Sequence, residues 1–211
     1  KQLLVLADCL DDFGNGLLDI TSRTNLQIRG VKEQNYSNLI LKLQAEGLLG
    51  KSEKLDRLNV IVPPFIRKNS LTWRCAGQVY SSVENLPLLP EKFGFCIDCE
   101  ESRYLTNQSG DIFIEGSSGS GLLLRCAGLK KAFSTDENNL ISDVKKIIGW
   151  YLEKQNSEET ERPMRMRDVV SKNRFPWKTS NELKKPLLEE VTVGSYQGYF
   201  VLAAPFGQLK S

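Results

Sequence analysis

Residues 19–30, Asp19-Ile20-Thr21-Ser22-Arg23-Thr24-Asn25-Leu26-Gln27-Ile28-Arg29-Gly30, constrain the chain more than any other stretch. Read as an extended segment with a two-residue side-chain period, they put Thr21, Arg23, Asn25, Gln27 and Arg29 on one face. The opposite face carries Ile20, Ser22, Thr24, Leu26 and Ile28, and its apolar members predict packing on helices. A wholly polar row is what an antiparallel strand with one wet face shows. Its chemistry is more particular. Two guanidiniums with amide donors between them offer forked N–H groups suited to carboxylates, and the row is read as having no acid to neutralise them.

The flanks predict a helix on each side. Leu3, Leu6, Ala7, Leu10 and Phe13 recur at helical spacing before Gly14-Asn15-Gly16 stops the pattern. After Gly30 a second helix is expected over residues 34–46, with Tyr36, Leu39, Ile40 and Leu43 on one stripe and Gly47 as its stop. The order is helix, strand, helix. An apolar strand over residues 55–62 then runs into Pro63-Pro64.

Composition bounds the chemistry. The 211 residues are 40% hydrophobic and 26% charged, as in an ordinary globular chain, and the net charge of +2 selects no partner. Histidine is absent, which excludes His-ligated metal sites and Ser-His or Cys-His nucleophiles built from this chain. Five cysteines without regular spacing read as reduced thiols, and the expected localisation is cytoplasmic. No apolar run approaches a membrane span. The first residue is Lys1, and the expectation is a chain that begins inside a longer protein.

Downstream, residues 67–88 are expected to be helix and loop, followed by strands at 93–98, 112–115 and 122–126. Gly116-Ser117-Ser118-Gly119-Ser120-Gly121 lacks the Gly-Lys-Ser/Thr of a phosphate loop and joins two apolar runs, so it reads as a hairpin turn. Cys96 and Cys99 sit three apart on an extended run and point to opposite faces, which argues against metal or redox use. Thr135 or Asp136 can cap a core helix over 138–154, striped by Leu140, Val144, Ile147, Ile148 and Tyr151. A basic stretch, Arg162, Arg165, Arg167, Lys172, Arg174 and Lys178, contains Phe175 and Trp177. Its interspersed acids favour a solvated helix face over a nucleic-acid patch.

The run from Asn15 to Gly30 resembles the ferredoxin-like repeat of the sulfite and nitrite reductase superfamily. Leu55-Asp56-Arg57-Leu58-Asn59-Val60 resembles that family's Arg-Asn-Val segment, with Leu58 inserted, and Leu89-Pro90-Glu91-Lys92-Phe93 its Leu-Pro-x-Lys-Phe. Reductases that bind sulfite usually place a second basic residue where this chain has Gly94. The Lys-Phe-Gly version is similar to the precorrin-3B synthase branch. The Val193–Leu209 segment resembles the opening strand of the second repeat.

The resemblance implies an α+β fold in which ferredoxin-like half-domain elements flank an inserted α/β reductase-type domain. Residues 1–66 form the first repeat lacking its first strand, 67–190 the inserted domain, and 191–211 the opening strand of the second repeat. It implies that Thr21, Arg23, Asn25, Gln27 and Arg29 bind tetrapyrrole carboxylates, and that Lys92 and Arg57 set the charge at the reacting face. The implied activity is oxygen-dependent hydroxylation and lactone formation on precorrin-3A in aerobic cobalamin synthesis. A sirohaem reductase is the alternative, and an RNA-binding module the alternative of another class. Implied partners are a polycarboxylate tetrapyrrole and a ferredoxin or NAD(P)H-linked electron donor, with no nucleic acid and no membrane. A [4Fe-4S] cluster is implied for the full-length protein, held by cysteines beyond Ser211, and none for these residues, which alone are expected to be inactive. Pairing of residues 200–203 beside the 21–29 segment is expected to fill the place of the missing first strand.

Overall fold

The computed structural model describes all residues except 51, 102, 106–107, 118–120, 158–161, 180–192, 197–198, 203, 205–206 and 211. The chain is α+β and divides into two units, one formed by Lys1–Asp56 with Leu188–Ser211 and the other by Arg57–Leu187.

The first unit opens with α1 (Gln2–Phe13), which buries Leu6 and Leu10 of the predicted stripe together with Cys9 and leaves Leu3 exposed. Gly14 stops it, with its N–H donating to Leu10 O at 3.1 Å. Two short strands follow, β1 (Leu17–Ile20) and β2 (Leu26–Ile28), paired antiparallel as Leu18↔Ile28 and Ile20↔Leu26. The single strand expected over 19–30 is therefore a hairpin. Its reversal comes from Thr21, whose Oγ1 accepts from the N–H groups of Arg23 (3.3 Å) and Asn25 (3.0 Å), while Thr24 takes a φ of 62°. A Thr-Ser-Arg-Thr-Asn run supplies both the side-chain acceptor and the residues that tolerate such a turn.

The base of this hairpin is locked by two glycines. A Cβ at Gly14 would lie 2.8 Å from Arg29 O, and one at Gly30, where φ is 75°, would lie 2.7 Å from Asn15 Cβ. This close approach lets Asn15 N donate to Arg29 O at 2.9 Å. α2 (Glu33–Ala45) then packs on α1 through Leu39 and Leu43, with Ile28 and Val31 against the same cluster. Of the face expected to meet helices, Ile28 does so, while Ile20 and Leu26 lie exposed at the turn end. A short helix α3 (Glu53–Asp56) closes the segment.

In the second unit, β3 (Asn59–Ile61) pairs in parallel with β4 (Gly94–Asp98), and β4 with β5 (Ile112–Gly116). β6 (Leu122–Cys126) and β7 (Phe133–Thr135) add antiparallel strands, giving the order β3-β4-β5-β6-β7. The expected boundary at residue 66 thus moves to residue 56, because β3 bonds to β4 and not to the hairpin.

Between β3 and β4, α4 (Leu71–Ser82) packs on the sheet, its first turn capped by Ser70 Oγ. α5 (Leu140–Asn156) and α6 (Met166–Lys172) complete this unit. Fully buried Phe95, Ile97, Ile112, Ile114, Leu124, Ile147 and Ile148 form its core. Gly116 pairs with Leu122, and Ser117 N donates to Gly121 O at 3.0 Å, as the hairpin reading requires.

The chain returns to the first unit with β8 (Gly194–Tyr196), β9 (Tyr199–Val201) and β10 (Gln208–Lys210). Residues 199–201 pair with β8, so the expected pairing of 200–203 beside residues 21–29 does not form; Ala203 lies outside the described residues. β10 takes that role instead. It lies antiparallel to β1, with Leu18↔Leu209 and Asp19↔Gln208, giving a sheet of order β10-β1-β2.

Candidate functional site

The hairpin divides the predicted carboxylate-binding residues into two groups. Gln27 and Arg29 share the polar face of the β10-β1-β2 sheet with Asp19 and Gln208. Arg29 is not a free cation: its Nε donates to Asp19 Oδ2 at 2.7 Å, and Gln208 Nε2 donates to Asp19 Oδ1 at 3.0 Å. Those two hydrogen bonds, with Arg29 the larger influence, hold the Asp19 carboxyl below the usual carboxylate range. The expectation that no acid faces these guanidiniums is corrected for Arg29, because Asp19, in register with Gln27 on the same face, takes its fork.

Thr21, Arg23 and Asn25 sit in the turn. Thr21 is committed to the backbone, as is the Thr24 hydroxyl, which donates to Arg23 O at 2.6 Å. Arg23 is half-buried, and its Nε is shut off from solvent with no hydrogen-bond partner among the described residues. A buried unpaired N–H of a guanidinium is costly unless a ligand completes it. The turn therefore presents one guanidinium in need of an acceptor.

In the second unit Arg57 and Lys92 lie in the turns that enter β3 and β4, each two residues before the paired Asn59 and Gly94. The buried Asn59 side chain fixes this end: its Nδ2 lies 3.0 Å from Arg57 O, 2.9 Å from Glu91 O and 3.0 Å from Phe93 O. Arg57 is half-buried and lines a cavity of about 340 Å³ with Leu88, Leu89, Pro90, Leu152 and Gln155. Lys92 is exposed, with no ion pair or hydrogen bond among the described residues.

Gly94 follows, and nothing in the backbone demands glycine there. A Cβ would make ordinary contacts at 3.8 Å with Asn59 and 3.9 Å with Gly110. Its N–H donates to the buried Asp111 carboxylate at 3.0 Å, and Asp111 N donates back to Gly94 O at 2.7 Å.

Asn59 and Asp111 are the organising residues that sequence reasoning missed. The available signal was a polar residue at or just before the first position of an otherwise apolar strand. The basic stretch is corrected in the same place. Arg165 is not on a solvated face but binds Asp111 through Nε (3.1 Å) and Nη2 (2.7 Å). Phe175 and Trp177 stack with Phe133 and Trp150, with centroids 5.1–6.4 Å apart.

All five cysteines are buried. Burial pushes the Cys96 and Cys126 thiols up to about 12, which leaves them protonated at neutral pH. No group of three or more Cys, Asp or Glu among the described residues is placed to hold a metal ion. The described cysteines do not come together as the thiolate set that holds an iron-sulfur cluster. No helix among the described residues is long and apolar enough to cross a membrane.

An α+β unit built from a helix-flanked polar hairpin defines a class. Residues 1–46 match the family model of the Nitrite/Sulfite reductase ferredoxin-like half domain, which supports that superfamily for this part of the chain and an oxidoreductase-type setting for it. The matched residues hold the whole α1-β1-β2-α2 arrangement, including Arg23 and the Thr21 turn. No curated protein gave a significant match to the chain.

Proposed function

We propose that the chain works within an oxidoreductase acting on a tetrapyrrole, of the precorrin-3B synthase type, with its hairpin turn holding ring carboxylates. The observation that carries this reading is the unpartnered, solvent-shielded Nε of Arg23 at the apex of a turn within the matched half domain. In this reading Arg23 receives a carboxylate, and Thr21 keeps the turn in the conformation that presents it. Asn25 and Gln27 add neutral polar groups, and Arg29 contributes through a fork already shared with Asp19. A charge-assisted bond of this kind is worth roughly 1.5–3 kcal/mol when desolvated.

Lys92 and Arg57 give the N-terminal end of β3 and β4 a cationic character. Gly94 adds no charge to that end, where a Cβ would meet only ordinary contacts. This favours a large organic substrate over a small dianion, which would be held better by more cations. The substrate in this proposal is precorrin-3A, hydroxylated with oxygen and closed to a lactone, with electrons from a ferredoxin or NAD(P)H-linked donor.

The test is absorption spectroscopy and turnover of the complete protein purified without oxygen. The proposal predicts no sirohaem band, and gain of oxygen by precorrin-3A, read by mass spectrometry, when oxygen and a reductant are supplied. A sirohaem band with sulfite or nitrite reduction would overturn it and make Lys92 an anion ligand.

A further inference from the structure

A second cavity, of about 410 Å³, lies within the Arg57–Leu187 unit and shares no lining residue with the Arg57 cavity. Its wall carries three guanidiniums, those of Arg125, Arg165 and Arg167, against the single carboxylate of Asp111. Asp111 is 1% exposed and saturated. Its Oδ1 accepts from Arg165 Nε at 3.1 Å and Met166 N at 3.0 Å, and its Oδ2 from Arg165 Nη2 at 2.7 Å and Gly94 N at 3.0 Å. With every acceptor position taken, Asp111 serves to orient Arg165.

Arg125 is held as firmly. Its Nε and Nη2 donate to the two oxygens of buried Glu115 at 3.0 Å each, and its Cζ lies 4.0 Å from the centroid of the Phe113 ring. Each of the two guanidiniums thus spends one fork and keeps Nη1, which has no hydrogen bond among the described residues and is not among their buried unsatisfied atoms. Arg167 is 72% exposed, with only a 3.7 Å approach to Asp168. The cavity accordingly offers fixed donors, an excess of positive charge and no spare carboxylate acceptor. Such a set suits an oxygen anion, because planar N–H groups held in place by other bonds lose little freedom when a ligand arrives. The volume lies in the range of small-molecule sites, which is roughly 300–1,000 Å³.

We propose that this cavity binds a small-molecule oxyanion, a carboxylate or a phosphate ester, between Arg125, Arg165 and Arg167. The site does not use the hairpin, so it stands or falls apart from the tetrapyrrole proposal.

The experiment is an amide NMR titration of the isotope-labelled chain with succinate and, separately, inorganic phosphate, with chloride balancing the ionic strength. Saturable shifts centred on Ser109, Gly110 and Gly128 are expected with at least one probe. Tighter succinate binding would mark a carboxylate ligand, and tighter phosphate binding a phosphate ester. Arg167→Gln, at an exposed position, should weaken binding about threefold or more. Arg165→Lys, which keeps a charge beside Asp111 but removes the planar fork, should weaken it about tenfold with the rest of the spectrum retained. Linear, unsaturable shifts with both probes, or an affinity unchanged in Arg167→Gln, would overturn the proposal.

Discussion

Asp98 ends β4 with its two oxygens in different states. Oδ2 accepts from the N–H groups of Tyr104 (2.6 Å) and Leu105 (2.8 Å), whereas Oδ1 is buried without a partner. Burial, only partly offset by those backbone bonds, pushes its carboxyl above the ordinary 3.8. In the pH window between the unfolded value and the raised folded one, the folded protein therefore holds a proton that the unfolded chain has released. The associated stability is fully present below the unfolded value and is lost as pH rises through the elevated folded one. Asp98→Asn keeps an acceptor for both N–H groups and removes that titration. Urea unfolding from acid to neutral pH should show the wild type losing stability relative to Asp98→Asn as pH rises. A constant difference between the two would contradict the assignment.

Thiol chemistry belongs to the same scale. Every cysteine is buried, so thiol reagents should modify the native protein slowly and all five cysteines after unfolding. Rapid modification of any one in the native state would contradict the packing. The sequence predicted reduced thiols from their number and spacing, but it carried no sign that Asp98 would be left with an unsatisfied oxygen. That outcome depends on where Tyr104 and Leu105 return to the strand end, a placement with no local signature.

At the scale of elements, the helices were legible and the key strand was not. The bounds of α1, α2 and α5 emerged within two residues of expectation because each buries part of one face, although Leu3 and Tyr36 of the expected stripes lie exposed. Residues 19–30 failed for the opposite reason. Alternating polarity fits a wet strand face and a polar turn equally, and the Thr21 side-chain cap that decides between them is a single hydroxyl. Thr21→Val should cost about 1 kcal/mol by releasing two turn N–H groups to solvent, measured by chemical denaturation. Asn59→Leu should cost more, about 1–3 kcal/mol, because three carbonyls at the β3-β4 end lose a shared buried donor. A larger loss for Thr21→Val than for Asn59→Leu would reverse this ranking.

For the whole molecule, the expected α+β class holds and the expected boundaries shift. The second unit is one continuous stretch, whereas the first is assembled from both ends of the chain. β10 could not be read from Gln208-Leu209-Lys210, which is too short for any pattern, and it is placed only by its register on β1. Removing residues 188–211 should leave the inner edge of β1 unpaired. Hydrogen exchange should then show lost protection in β1 and β2 and retained protection in β4, β5 and β6. Equal loss across both sheets would contradict two separately cored units.

The central claim, that the hairpin turn holds tetrapyrrole carboxylates through Arg23, is tested most directly by titrating the chain with uroporphyrin, an octacarboxylate tetrapyrrole. Wild type, Arg23→Ala and Arg29→Ala would be compared by absorbance. Arg23→Ala should weaken binding about ten- to a hundredfold, and Arg29→Ala, whose guanidinium is shared with Asp19, should have the smaller effect. A change below about twofold for Arg23→Ala would contradict the claim.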